Sequence, residues 1–163
     1  MSLLAEFVRA VAVLAPKQNR FAGTQNSLTV NLQKAGKVNF LLTTGNSTSG
    51  TGTGTTKVTV EACDKADASG SNTAIAFKYR KTATASKDDY GDFVDATAAT
   101  GFTTDPGVNP NLNYLIEVQD RDLPAGKPYV RVKCVEQVAD PVDGAIIALV
   151  GGIHQSTDQV VLP

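Results

Sequence analysis

Apolar residues are spaced in two different ways along this chain. Leu3, Leu4, Phe7, Val8, Val11 and Leu14 recur at the helical period, while Ser2, Glu6 and Arg9 fall elsewhere. Ser2 can cap a helix and Pro16 can end it, so residues 2–14 predict an amphipathic helix. Such a helix either packs on its own domain or docks on a neighbouring subunit. The face formed by Leu3, Leu4, Phe7, Val8 and Val11 is therefore the candidate protein-interaction surface. Residues 17–27 are mostly polar and predict a linker. From there the period drops to two. Leu28, Val30 and Leu32 alternate with Thr29, Asn31 and Gln33, and Val38, Phe40 and Leu42 continue the alternation. With Ala35 and Gly36 as the turn, this predicts a hairpin with one buried and one wet face.

Residues 43–56 (TTGNSTSGTGTGTT) contain no apolar side chain and predict a mobile surface loop. Short strands follow. Val58 and Val60 face inward on one, and Ile75, Phe77 and Tyr79 on the next, with Lys78 and Arg80 outward. Residues 88–92 predict a polar turn before a short strand at Phe93 and Val94. Residues 96–104 show no clear pattern beyond Phe102 as an anchor. Leu112, Tyr114, Ile116 and Val118 share one face of a further strand, and Val130, Val132 and Cys134 share one face of another. Residues 145–150 are continuously apolar, which predicts a strand covered on both faces. About eight short strands with no helix between them imply an all-β fold, an antiparallel β-sandwich preceded by an N-terminal helix or arm. The organisation expected is an N-terminal helix or arm at 1–16, a linker at 17–27, the sandwich at 28–153 and a C-terminal tail at 154–163.

Length and composition narrow the class. A chain of 163 residues suits one domain, and 42% hydrophobic with 19% charged residues is globular rather than disordered. A formal net charge of −1 gives no electrostatic reason to expect nucleic acid or an anionic membrane as a partner. The N-terminal apolar run is shorter than the ~20 residues of a membrane span. Its cation, Arg9, lies inside the run instead of ahead of it, so neither an export signal nor an anchor is expected. Cys134 shares parity with Val130 and Val132, whereas Cys63 shares it with Thr59 and Glu61. This places the first thiol in the core and the second outward, and predicts two free cysteines.

No constellation of catalytic residues emerges. The single histidine, His154, has no ligand partner at metal-binding spacing. The glycine-rich stretch lacks the Lys-Ser/Thr ending of a phosphate loop. Asp88, Asp89 and Asp92 lack the spaced oxygen ligands of a calcium loop. Asp120 and Asp122 lie in a turn, where aspartate is common for backbone reasons. No serine sits in a nucleophile elbow. The expectation is a non-enzymatic protein with no cofactor. A carbohydrate-binding module would need exposed aromatic platforms, for which Tyr90 and Tyr129 are the candidates.

Four stretches carry a family resemblance: residues 58–64 (VTVEACD), 74–80 (AIAFKYR), 122–133 (DLPAGKPYVRVK) and 140–149 (DPVDGAIIAL). From Val58 to Gly152 the chain resembles the decoration, or cement, proteins of tailed-bacteriophage heads. The resemblance implies a virion structural protein made in the host cytoplasm and bound to the outer face of the capsid. It would contact the major capsid protein and self-associate as a dimer or trimer. Another virion component, such as a tail or collar protein, is the alternative. Residues 1–57 lie outside the resemblance.

Overall fold

Period-two alternation governs the described residues, 8–47, 52–105 and 111–153, of the computed structural model. They form twelve strands and two 3-10 turns, and no α-helix. The front sheet runs β1 (Val8–Lys17), β12 (Val142–Ile153), β4 (Ala35–Ser47), β10 (Leu112–Gln119), β7 (Phe77–Lys81), β8 (Val94–Ala96). The back sheet runs β2 (Thr24–Asn26), β11 (Tyr129–Val138), β5 (Thr55–Cys63), β6 (Asn72–Ile75). Two short strands join it, β3 (Val30–Asn31) beside β11 and β9 (Phe102–Thr103) beside β5. Every strand pairing is antiparallel, and the two sheets pack face to face as an all-β sandwich.

Alternation explains which side chains meet between the sheets. The front sheet contributes Val38, Phe40 and Leu42, then Tyr114, Ile116 and Val118, then Ile146, Ala148 and Val150. The back sheet answers with Val58, Val60 and Ala62, and with Val130, Val132 and Cys134. All fifteen are fully buried. Each large aliphatic side chain removed from water in this way contributes about 1.5–3 kcal/mol. One flank is closed by aromatic stacking across the sheets. The Phe102 ring lies 4.1 Å from Tyr79 and 5.3 Å from Tyr114.

Several elements differ from the sequence reading. The helix expected over residues 2–14 is, from Val8 onward, the ten-residue strand β1. Its apolar residues 8, 11, 13 and 14 suit a helix face, but β12 supplies an antiparallel partner from Val8 to Lys17, regular as far as Ala12 and shifted in register beyond it. Tertiary pairing overrides the local pattern. Residues 1–7 and 154–163 lie outside the described residues, and with them Leu3, Leu4, Phe7, His154 and the tail. The linker expected at 17–27 is part of the sandwich. Phe21 is buried, and β2 pairs with β11. The expected hairpin does not form. Instead β3 belongs to the back sheet, a 3-10 turn at Leu32–Lys34 links the two sheets, and β4 enters the front sheet. Leu28, expected inward, is 58% exposed, because Ser27 and Leu28 bridge the two sheets through their backbones. Ser27 N donates to Val132 O at 2.9 Å, and Leu28 N donates to Val13 O at 2.8 Å.

The loop expected over residues 43–56 is strand at both of its ends. β4 continues to Ser47 and β5 begins at Thr55. Between them Asp140, only 2% exposed, gathers the chain. Its carboxylate accepts from Ser47 Oγ, from Thr53 N at 2.9 Å and from Gly54 N at 3.3 Å. A Cβ on Gly54 would stand 1.8 Å from the Asp140 carbonyl oxygen, so this close crossing requires glycine.

Candidate functional site: the outer face of the front sheet

The alternation that fills the core also fixes what the front sheet presents on its other side. Register places Ala12, Ile147, Leu41, Leu115 and Arg80 in one row across β1, β12, β4, β10 and β7. The adjoining row is Ala10, Leu149, Asn39, Glu117, Lys78 and Asp95. Ile147, Leu149, Leu41 and Leu115 are only partly buried there. The face therefore begins as an aliphatic stripe at β1 and ends in charged and aromatic groups at β7.

The aromatic end is built around Arg80. Gly91 N donates to Lys81 O at 3.0 Å, and Thr82 bridges to Tyr90, which folds residues 90–93 back beside β7. The Arg80 guanidinium then lies 5.0 Å from the Tyr90 ring centre and 4.8 Å from that of Phe93. Cation–π attraction holds the arginine in place. Phe93 remains 43% exposed and the neighbouring Val94 49%. Arginine and aromatic residues together are the groups that most often anchor protein interfaces.

Beside the face lie two open clefts. One of about 630 Å³ is lined by Lys17, Lys87, Asn111, Asn113 and Asp143, among others. Asp143 there accepts from Asn19 N at 2.8 Å. The other, about 500 Å³, holds Lys78, Asp95, Glu117, Arg121 and Asp122. Its acids already serve the fold. Asp95 pairs with Lys78 at 3.6 Å, Asp122 accepts from Gln119 N at 2.9 Å, and Glu117 accepts from Gln119 Nε2 at 3.2 Å.

On the back sheet, Glu61 is clasped by Arg131 at 2.7 Å and Lys133 at 3.1 Å. Burial alone would raise the Glu61 pKa, but hydrogen bonds and ionic attraction from these two cations outweigh it and hold the carboxyl below its usual range. Both cysteines are free and buried. Cys134 points into the core, and burial pushes its thiol up to about 12. Cys63 keeps the outward parity read from the sequence but is fully covered, a correction to the expected exposure. It lies beside Tyr129 across the ladder, where burial again raises the thiol pKa. Neither thiol has the character of a nucleophile. Cys63 pairs with Tyr129, five residues from Cys134 on the same strand, so roughly 17 Å of strand separates the two.

Among the described residues no group of three or more His, Cys, Asp or Glu side chains converges on a metal-sized site. No helix among them is long and apolar enough to cross a membrane. The sequence-predicted interaction residues Val8 and Val11 are both on β1, but on opposite faces of it. Val11 sits opposite buried Ala148 toward the core, while Val8 shares the outer parity of Ala10 and Ala12. Tyr90 and Tyr129 belong to different parts of the fold, one against Arg80 on the front sheet and one on β11 of the back sheet, and they do not combine into a platform. The sequence reading missed Leu41, Leu115, Ile147 and Leu149 as a surface. The available signal was a leucine at the wet parity of both β4 and β10. Comparison with known proteins yields no match to any family model, curated protein or solved structure.

Proposed function

We propose that this chain is a virion structural protein, a decoration subunit that binds the outer face of a tailed-phage head and stabilises it. One observation carries the reading. The apolar run in β12 has the composition of a strand covered on both faces, yet only one of its faces is covered within the described residues, which leaves Ile147 and Leu149 beside Leu41 and Leu115. A partner protein completes the second layer. The family resemblance over residues 58–152 supplies the identity of that partner, the major capsid protein. Holding neighbours together needs a rigid body and a hydrophobic contact flanked by anchors, and repeated attachment across a lattice multiplies modest affinities. The sandwich offers the first, and the stripe ending at Arg80, Tyr90 and Phe93 offers the second.

Virions imaged by electron cryo-microscopy test this. The expected result is many symmetry-related copies on the head, with the front sheet toward the capsid. Leu115→Arg, which leaves the core intact, lowers head occupancy by about tenfold or more, in line with loss of an interface anchor. A few copies confined to the tail or collar, or a Leu115→Arg variant with full occupancy, overturns the proposal.

A further inference from the structure

Sheets end in strands whose outer backbone groups need a partner, and soluble proteins keep such strands short, bulged or covered. Among the described residues, three of the four sheet borders follow that rule, with β8, β2 and β6 only three, three and four residues long. The border at β1 does not. It is ten residues long, and its register against β12 is regular from Val8 to Ala12 before the first shift. Beyond Ala12 the border is closed, because Leu28 N donates to Val13 O. That bond shows Val13's backbone oxygen directed away from β12. Val13 stands at the register shift, so the direction of the preceding residues follows from the regular ladders. Thr82 N donates to Asn113 O, and alternation carried through β10, β4 and β12 turns Arg9 and Val11 toward β12 and leaves the N–H and C=O of Val8, Ala10 and Ala12 on the open side, where no described group meets them. Ala10 and Ala12 bring small side chains to the outer face of the same border.

We propose that residues 8–12 form the pairing edge of a homodimer, in which β1 of one copy lies antiparallel to β1 of a second across a twofold axis at Ala10. The front sheets of the two copies then join into one continuous sheet. Antiparallel strands place like faces opposite only when the paired residue numbers sum to an even value, and a centre at Ala10 uses the whole regular segment. Val8 faces the partner's Ala12, Arg9 faces the partner's Val11, and Ala10 faces its own equivalent. The two arginines are thus staggered rather than opposed. A strand edge is its own complement under a twofold, which is the condition for an isologous interface. The same register sets the aliphatic stripes of the two copies side by side, with Leu149 behind Ala10 and Ile147 behind Ala12 in each. This inference concerns the free protein and does not depend on head binding.

Sedimentation of the full-length chain gives the first readout, and a dimer is expected. Ala10→Lys and Ala10→Glu each set like charges opposite one another at the axis and are expected to weaken the dimer about tenfold or more. An equimolar mixture of the two variants restores it, which a heterologous partner strand would not require. Ala10 is exposed, so both variants should melt near the native temperature. Ala10→Cys provides a second readout. A hydrogen-bonded antiparallel pair brings Cα atoms to about 5.5 Å, within disulfide reach. Oxidation is therefore expected to give a covalent dimer, while Ala15→Cys gives none. A native chain that sediments as a monomer at about 100 µM, weaker than any stable dimer, overturns the proposal. So does a dimer indifferent to charge at position 10, or one that cross-links through position 15 instead.

Discussion

Asp140 offers the sharpest test of how the two halves of the sandwich are fastened at one end. Its side chain sits between the end of β11 at Val138 and the start of β12 at Val142, and reaches back to the end of β4 and the approach to β5. In Asp140→Ala, Ser47 Oγ, Thr53 N and Gly54 N lose this acceptor together. Their costs differ with exposure. Gly54 is buried, so its N–H cannot turn to water, and an orphaned buried donor costs about 1–3 kcal/mol. Thr53 is exposed and Ser47 half-buried, so water compensates in part, and each loses about 0.5–1 kcal/mol. The sum is about 2–5 kcal/mol. For a domain of this size that is a fall in melting temperature of about 10 °C. Asp140→Asn retains shape but turns donor hydrogens toward donors, and about 2 kcal/mol is expected. Urea unfolding by circular dichroism measures both, and hydrogen exchange at Gly54 should accelerate in step. Ser47→Ala combined with Asp140→Ala should cost less than the sum of the two alone, since they share a bond. An Asp140→Ala protein that melts within 2 °C of native would refute the reasoning and reduce the carboxylate to a bystander.

Other consequences can be checked separately. Glu61 has a folded pKa held below its unfolded value, so its contribution is present above the unfolded pKa and is lost as pH falls through the folded one. Native stability should therefore decline below about pH 4, and Glu61→Gln should flatten part of that decline in pH-dependent urea titrations. A thiol reagent at pH 8 should leave Cys134 unmodified in the folded chain and react promptly once urea unfolds it, given full burial and a pKa pushed up to about 12. Gly144→Ala should destabilise by about 1–3 kcal/mol through overpacking. Its Cβ would meet the Thr43 carbonyl oxygen at 2.3 Å and the Phe21 ring at 2.5 Å, and thermal melting reads the loss.

Much of the sandwich was legible wherever one face is dry and the other wet. β4, β5, β10 and β11 were readable because each repeats the alternation over at least seven residues, long enough to exclude a helical period. The core members Phe40, Val60, Ile116 and Val132 followed directly from parity. What could not be read is pairing over distance. Phe21 lies in a polar stretch with no local pattern, and its burial depends on Val142, whose backbone oxygen accepts from Phe21 N at 3.2 Å. Cys63 has the right parity for the surface but is covered by neighbours no local rule could foresee. The Thr/Gly stretch read as a loop because it buries nothing apolar. It is ordered at both ends by the neighbouring strands and by a carboxylate some ninety residues away.

The candidate site was harder to read than the core for a related reason. A partly exposed apolar surface looks, in sequence, like a minor fault in the alternation. Leu41 and Leu115 stand at positions where polar residues were expected, and Ile147 and Leu149 make a one-sided strand look two-sided. Each is unremarkable alone. Only the register of β12, β4 and β10 sets them in adjacent rows, and only the return of residues 90–93 places Phe93 and Tyr90 on Arg80 at the far end. The same holds for β1. Residues 8–14 fit a helix as well as a strand until β12, more than 130 positions away, supplies the ladder. Once they are extended, the question changes from which helical face is greasy to which backbone edge is open. An extended segment at a sheet border exposes hydrogen-bonding groups as well as apolar area, and the chemistry that satisfies such groups is that of another strand.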